Sequence, residues 1–185
     1  MSSETEEAIA FLRKFHGADS WVLTAIDPEK KGSIVTRTFT SVAWSAAKDF
    51  IDAHDGKRNV YFLPASITGM LNKKPSKDDI AHTRWLWVDI DPRAGEDLDE
   101  ERVRILELLT TNLPEIVPGP PTLVVDSGRG YWGFWRLTEP ARLEAEDYMR
   151  ALEIEFRADS CHNIDRIARL PGTVNLKTGR RACIV

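Results

Sequence analysis

The chain opens with "SETEEAIAFLRKFHG", where Ala8, Phe11, Leu12 and Phe15 recur at helical spacing behind an acidic first turn, and Gly17 offers a stop. The spacing predicts a packing helix. "SWVLTAI" and "SIVTRTFT" are rich in β-branched and aromatic residues and flank the turn-forming "DPEKKG", which predicts a hairpin. "SVAWSAAKDFIDAHDG" reads as a helix opening at Ser41 and closing at Gly56, and "NVYFLPASI" as a further strand. The polar "TGMLNKKPSKDDIAH", with a proline and three lysines, reads as a mobile loop or a join between two sub-modules.

Beyond that join "RWLWVDIDP" predicts a strand. "DLDEERVRILELLTTN" predicts a helix with Asp97 as N-cap and Val103, Leu106 and Leu109 on one side. "PTLVVD" and "YWGFWRL" read as two strands joined by "SGRG", followed by a helix, "RLEAEDYMRALEIEFRA", and a last strand ending "ACIV". The order strand, helix, strand, strand, helix, strand is that of a split βαβ, ferredoxin-like or RNA-recognition-motif-like sheet with helices on one face. The expected fold class is therefore α+β. The tryptophans Trp21, Trp44, Trp85, Trp87 and Trp135 read as core or sheet-packing residues.

A length of 185 residues with 42% hydrophobic content fits one domain, or two closely packed modules. No apolar run approaches the roughly 20 residues that span a bilayer, and the acidic, amphipathic start is unlike a secretory signal. No membrane association and a cytoplasmic location are the expectations. The two cysteines, Cys161 and Cys183, have neither CxxC spacing nor a secretory context, which argues against a disulfide framework or a structural zinc site. A net charge of −4 gives no global attraction to nucleic acid, so local charge must decide whether it binds.

Three stretches carry chemistry. In "WLWVDIDP" the two-residue period of a strand puts Trp85, Trp87, Asp89 and Asp91 on one face and Leu86, Val88 and Ile90 on the other, the second resembling core. At roughly 3.3 Å per residue the two Asp Cβ atoms lie about 6 to 7 Å apart, so the carboxylates can converge. Two charges about 5 Å apart repel by roughly 3 kcal/mol at an effective dielectric near 20, a cost that a divalent cation reverses. Hard oxygen ligands suit Mg²⁺ or Mn²⁺. A DxD pair also occurs where a strand simply ends in a turn, and that reading stays open on these residues alone.

In "VVDSGRGYWGFWRL" the glycines permit positive φ and close backbone approach, so the loop's N–H groups can form an anion nest with Ser127 and Arg129 nearby. A plain hairpin turn is the other reading. "RGYWGFW" is close to the RNA-recognition signature whose aromatics stack bases. Here one extra residue sends Tyr131 and Phe134 to opposite faces, which breaks that platform.

Third, "HNIDRIARLPGTVNLKTGRR" sets Arg166, Arg169, Lys177, Arg180 and Arg181 behind Asp165, a local phosphate footprint in an acidic chain, or a solvated basic edge. "GTVNLKTG" is not a phosphate-binding P-loop, because the order GxxxxGK[ST] is absent.

Together, "WVDIDP", "SGRGYWGFWRL" and "DRIARLPGTVNLK", in this order and spacing, resemble the three motifs of the archaeo-eukaryotic primase superfamily. The likeness is to the primase-polymerase domains of phage and plasmid replication proteins, and it spans most of the chain. It implies an N-terminal α/β module packed on an RNA-recognition-motif-like catalytic module within one domain, residues 1–185, with sub-modules about 1–75 and 76–185.

Carried over, Asp89 and Asp91 hold Mg²⁺ or Mn²⁺ and Asp165 is the third catalytic and metal-binding carboxylate, with Asp159 a weaker candidate because it lies further from "RLPGT". Ser127, Gly128, Arg129, Gly130 and Trp132 line the expected NTP or dNTP site. The family's second motif usually has a histidine where this chain has Trp132, so that phosphate contact is either missing or replaced, with Arg129, Arg169 and Lys177 the candidates to supply the charge. Because "RRACIV" stops within an apolar strand, a domain excised from a longer chain is expected, with a helicase or helix-bundle module downstream.

The activity so implied is template-dependent nucleotidyl transfer on single-stranded DNA by a DNA primase or polymerase with two metals. One lowers the pKa of a primer 3′-hydroxyl that attacks the α-phosphate, and the other neutralises charge on pyrophosphate. The alternative is a non-catalytic single-stranded nucleic-acid binding module of a replication protein. A two-metal nuclease is disfavoured by the resemblance. A rolling-circle initiator is disfavoured because His16, His54, His82 and His162 are isolated rather than paired.

Overall fold

The computed structural model describes residues 3–30 and 32–185; Lys31, inside the expected hairpin turn, lies outside the described residues. The first helix, α1 (Ser3–His16), has its predicted face buried at Ala8, Phe11, Leu12 and Phe15, and Gly17, at φ +63°, returns its N–H to Arg13. The hairpin forms as β1 (Trp21–Ile26) and β2 (Ile34–Phe39), paired antiparallel from Trp21–Phe39 to Ile26–Ile34. The second helix, α2 (Trp44–His54), starts three residues later than predicted. Ala43 turns back onto the Thr40 carbonyl, and Val42 points into solvent.

"NVYFLPASI" forms two strands, because Pro64 breaks the ladder between them. β3 (Asn59–Phe62) pairs with β1, whereas β4 (Ser66–Ile67) belongs to a second sheet, so the chain changes sheets at residues 63–65 rather than in the lysine-rich loop. That loop is tied to the first sheet: Leu71 N–H donates to Thr38 Oγ1 (2.8 Å) and Thr38 Oγ1 donates to the Leu71 carbonyl (3.1 Å). A single 3-10 turn, Lys77–Asp79, leads directly into β5 (Ile80–Ile90).

Helix α3 (Leu98–Thr110) is capped by Asp97, whose Oδ1 accepts the N–H groups of Asp99 and Glu100. Its buried stripe runs Glu101, Ile105, Leu109, one turn-face away from the predicted one; Val103 is 59% exposed. Buried Glu101 joins Arg93 and Arg104, so a charged residue occupies part of the inner face. Next come β6 (Leu123–Asp126), β7 (Tyr131–Ala141) and α4 (Ala145–Phe156), which ends at Arg157 in the left-handed region. The last strands are β8 (Ala168–Arg169) and β9 (Cys183–Ile184).

Two antiparallel sheets result, ordered β2-β1-β3-β8 and β4-β5-β7-β6-β9. Strands β5, β7 and β6 keep the first–third–second arrangement of a split βαβ unit. Two departures follow. The closing strand β9 lies at the far edge beside β6, and β4 takes the edge beside β5. β8, in the second half of the sequence, returns to the first sheet with Tyr61 opposite Arg169.

Both faces of β5 are buried, at Val88 and Ile90 as at Trp85 and Trp87, in keeping with their readings as core and as sheet-packing residues. Val88 and Ile90 pack with Ile105, Leu109 and Phe156 beneath α3 and α4. Trp85 and Trp87 face the first sheet in a core shared with Phe15, Phe62 and Phe134; Phe15 stacks on Trp85 at 4.5 Å. Trp21 is buried with them, and Trp44 and Trp135 are half-buried. Among the described residues no helix is long and apolar enough to cross a membrane.

Candidate nucleotide cleft

Where the indoles of β5 end, the two sheets part and a cleft of about 690 Å³ opens. The first sheet contributes Tyr61 and Arg169, and the second contributes Asp89, Asp91 and Trp132. Asp89 stands opposite Trp132 in the β5–β7 ladder and so shares its face. Burial, with the charge of Asp91 beside it, pushes the Asp89 carboxyl up to about 8, against the lowering pull of Arg166. Burial also raises Asp91; Arg129, whose Nη1 lies 3.5 Å from Asp91 Oδ2, opposes the rise and Asp159 adds to it.

The third carboxylate at this point is Asp159. Its Oδ2 accepts the Asp91 N–H (3.2 Å), and its own N–H donates to the Asp89 carbonyl (3.0 Å). Asp165 is half-buried in the turn that follows; neither it nor Asp159 lines the cleft wall, and Asp159 is distinguished by its hydrogen bonds to the backbone of Asp89 and Asp91. The ordering by nearness to "RLPGT" thus differs from the ordering by contact. The segment after α4 runs alongside the end of β5, where Asp159 accepts the Asp91 N–H and Cys161 Sγ the Asp89 N–H.

The "SGRG" loop spends its amides on itself rather than forming an open anion nest. Gly128 N–H donates to Asp126 Oδ1 (2.7 Å), Gly130 N–H to Ser127 Oγ (3.1 Å), and Ser127 N–H to the Gly130 carbonyl (3.0 Å). Asp126 is held in turn by Arg102 of α3 at 2.5 Å, and Arg102 Nη1 also reaches the Arg129 carbonyl. The glycines serve close packing. A Cβ on Gly130 would lie 2.1 Å from the Ile90 carbonyl oxygen, and Gly128, at φ +83°, sits against Arg180 and Asn175. Ser127, Arg129 and Trp132 line the cleft; Gly128 and Gly130 do not.

The third stretch is a strap across both sheets. Asp55 accepts the Val174 N–H (2.7 Å) and Asn59 the Leu176 N–H (3.0 Å) on the first sheet's side. Asn175 Nδ2 donates to the Ser127 carbonyl (2.9 Å) and Thr178 Oγ1 to the Gly128 carbonyl (2.9 Å) on the other. The strap brings Lys177 to the cleft, with Lys74, Arg129, Arg166 and Arg169 around it. Arg169 is 8% exposed and lies over the Tyr61 ring at 4.5 Å; its Nη2 donates to Tyr61 Oη (3.2 Å), while Nη1 is buried with no partner. Burial lowers its pKa. Trp132 is 4% exposed and stacked on Phe134 at 5.7 Å. Tyr131 is in the opposite core, as the broken aromatic platform requires.

Among the described residues no three His, Cys, Asp or Glu side chains stand in ready ligating geometry. By chemistry Asp89, Asp91 and Asp159 fit a hard divalent cation: the donors are carboxylates only, and a cation at the Asp89–Asp91 pair would offset the like charge that helps raise Asp89.

No protein-family model matches the chain, and no curated protein sequence does. Solved structures do. The chain is similar to the AEP domain of the cyanophage S-2L primase-polymerase, at 19% identity over 97% of this chain and 88% of that one, with a TM-score of 0.66. It is similar to the catalytic domain of primase RepB′, solved in complex with initiator DNA, at 19% identity over 98% and 84%, with a TM-score of 0.67. A longer primase RepB′ structure matches at 18% identity, with 98% of this chain and 56% of that one covered and a TM-score of 0.65. The α+β fold expected from the motifs is borne out: the chain has the fold of these primase domains.

Proposed function

We propose that the chain is a nucleotidyltransferase that extends or initiates a strand on a single-stranded DNA template, as a primase, a polymerase or both. One observation carries the reading. A single cleft holds the carboxylates Asp89 and Asp91, with Asp159 hydrogen-bonded to Asp91, facing five cations, one of them Arg169 with a buried, unpartnered nitrogen. An acid cluster and a phosphate receiver face to face are what a triphosphate with its counter-cation requires.

Asp89, Asp91 and Asp159 would hold Mg²⁺ or Mn²⁺, with Asp159 rather than Asp165 as the third acid. The cation, when bound, supplies Lewis acidity at the reacting phosphate and lowers the pKa of the attacking hydroxyl. The rest falls to the chain's own groups. Arg169 Nη1, Arg129 and Lys177 receive the triphosphate oxygens in place of the histidine that Trp132 displaces. Tyr61 stacks beneath the Arg169 guanidinium and fixes its plane. The indoles of Trp87 and Trp132 exclude water behind the acids and leave one open side for the strand.

Labelled nucleotide incorporation on single-stranded DNA tests this, with and without a primer, in Mg²⁺ and in Mn²⁺. Wild type incorporates, Asp89→Asn and Asp159→Asn do not, and Asp165→Asn retains activity. Activity in Asp89→Asn refutes the acid assignment. DNA affinity without incorporation in wild type, unchanged in Asp89→Asn, would instead mark a binding module.

A further inference from the structure

Asp159 lies outside both sheets and is tied to the end of β5 by two hydrogen bonds: its N–H donates to the Asp89 carbonyl and its Oδ2 accepts the Asp91 N–H. It stands in a short segment after α4, and on the helix side Glu153, in the last turn, holds the middle of that segment while Glu146 accepts the Ile164 N–H further on. Glu153 Oε1 accepts the backbone N–H groups of both Cys161 and His162. The imidazole of His162 closes over the same carboxylate, with Nδ1 2.9 Å from Oε2, and its Nε2 lies 3.3 Å from Arg150. Glu153 and His162 are largely buried, at 11% and 18% side-chain exposure.

From this clamp the segment laces onto the end of β5. The Cys161 carbonyl accepts Trp87 Nε1–H (2.9 Å) and Cys161 Sγ accepts the Asp89 N–H (3.2 Å). Asp159 N–H then reaches the Asp89 carbonyl and Asp159 Oδ2 the Asp91 N–H. One helical carboxylate thus ties to α4 the segment that carries one acid and touches the strand bearing the other two.

We propose that Glu153, closed by His162, is the positioning residue of the cation site: it holds Asp159 in register with Asp89 and Asp91. The proposal rests on the reading of Asp159 as the third acid. Glu153 lines no part of the cleft and touches no substrate. It acts as the outer partners of metal ligands do, where loss of such a partner costs roughly 10- to 100-fold in metal affinity. Two amides on one oxygen and an imidazole across both leave that carboxylate a single orientation.

The test measures Mn²⁺ binding by electron paramagnetic resonance and, in metal-free protein, hydrogen exchange at the Asp91 amide that Asp159 holds. Glu153→Ala is expected to weaken Mn²⁺ about 10- to 100-fold and to speed Asp91 exchange. Added to Asp159→Asn it should cause no further loss of affinity, because both act through one carboxylate. Glu153→Gln, which keeps an oxygen for the two amides, should restore most of the affinity. If Glu153→Ala does not fold, Glu153→Asp, one methylene shorter, is carried through the same measurements. Wild-type Mn²⁺ affinity and Asp91 exchange in a folded Glu153 variant overturn the proposal, as do losses that multiply in the double variant. Wild-type affinity in Asp159→Asn overturns instead the reading of Asp159, and is recognised in that single variant alone.

Discussion

Replacing Asp89 by Asn should change how stability depends on pH, and the size follows from where the carboxyl sits. Burial and Asp91 raise it from 3.8 to about 8 in the folded chain. Below the unfolded value the acid is protonated in both states and imposes nothing. Between the two values the folded chain holds one proton more than the unfolded one, so stability falls as pH rises, by about 1.4 kcal/mol per pH unit, until the folded value is passed. His16 works in the opposite sense. Burial lowers it from 6.5 to about 4, so its contribution is present above the unfolded value and lost as pH falls through the folded one. The two slopes oppose each other in mildly acidic solution, and Asp89 acts without that opposition only above about pH 6.5.

The assay is urea unfolding of metal-free wild type and Asp89→Asn, in chelator, at half-unit steps from about pH 5 to pH 8. The variant keeps His16 and loses the Asp89 titration, so its advantage over wild type should grow by about 1.4 kcal/mol per unit and level off near pH 8. Saturating Mn²⁺ should invert the wild-type trend, because the cation takes the deprotonated form and stabilises by about 2.7 kcal/mol at a hundred times its Kd. Parallel curves for the two proteins in chelator would refute the account of a desolvated, crowded carboxyl.

Gly130→Ala should cost about 2 to 4 kcal/mol in urea unfolding, because its Cβ meets the Ile90 carbonyl oxygen at 2.1 Å and forces the loop off β5. Arg169→Met should bind nucleotide at least about tenfold more weakly by calorimetry, having lost a charge-assisted phosphate bond, while the nucleotide-free protein unfolds no more easily, since a buried charge without a full set of partners has gone. Trp132→Ala, judged by thermal unfolding, should cost about 3 to 5 kcal/mol, because the indole is packed on Phe134 and backs the acid strand.

The sequence carried the local part of this structure well. α1 shows its buried face in its spacing and its stop in Gly17, and α3 shows its cap in Asp97, because those signals lie within a few residues of what they govern. Long-range facts were hidden. Whether the tryptophan face of β5 is core depends on a first sheet reached through Phe15 and Phe62, and Val103 yields its place to Glu101 only because Arg93 and Arg104 can neutralise that acid. The strap from 172 to 181 could be read as basic but not as a strap, since its partners Asp55, Asn59 and Ser127 lie 48 to 119 residues away in sequence. The choice between Asp165 and Asp159 turned on the same thing: nearness along the chain favoured one, and a hydrogen bond to the Asp91 amide the other.

The cleft's charges also explain why a buried strand runs into two acids. Trp85 and Trp87 are sealed between the sheets, and Asp89, the next residue on that face, falls where the sheets diverge and water first enters. Across the gap Arg169 is displaced in the opposite sense: burial lowers its pKa as burial raises that of Asp89. Each feels the other's charge, yet the hydrogen bonds of Arg169 go to Tyr61 and one of its nitrogens goes without. A salt bridge between them would relieve both and close the cleft. Held apart by separate sheets, they keep opposite unmet demands on two walls, and a guest that is anionic at one end and escorted by a cation at the other meets both at once.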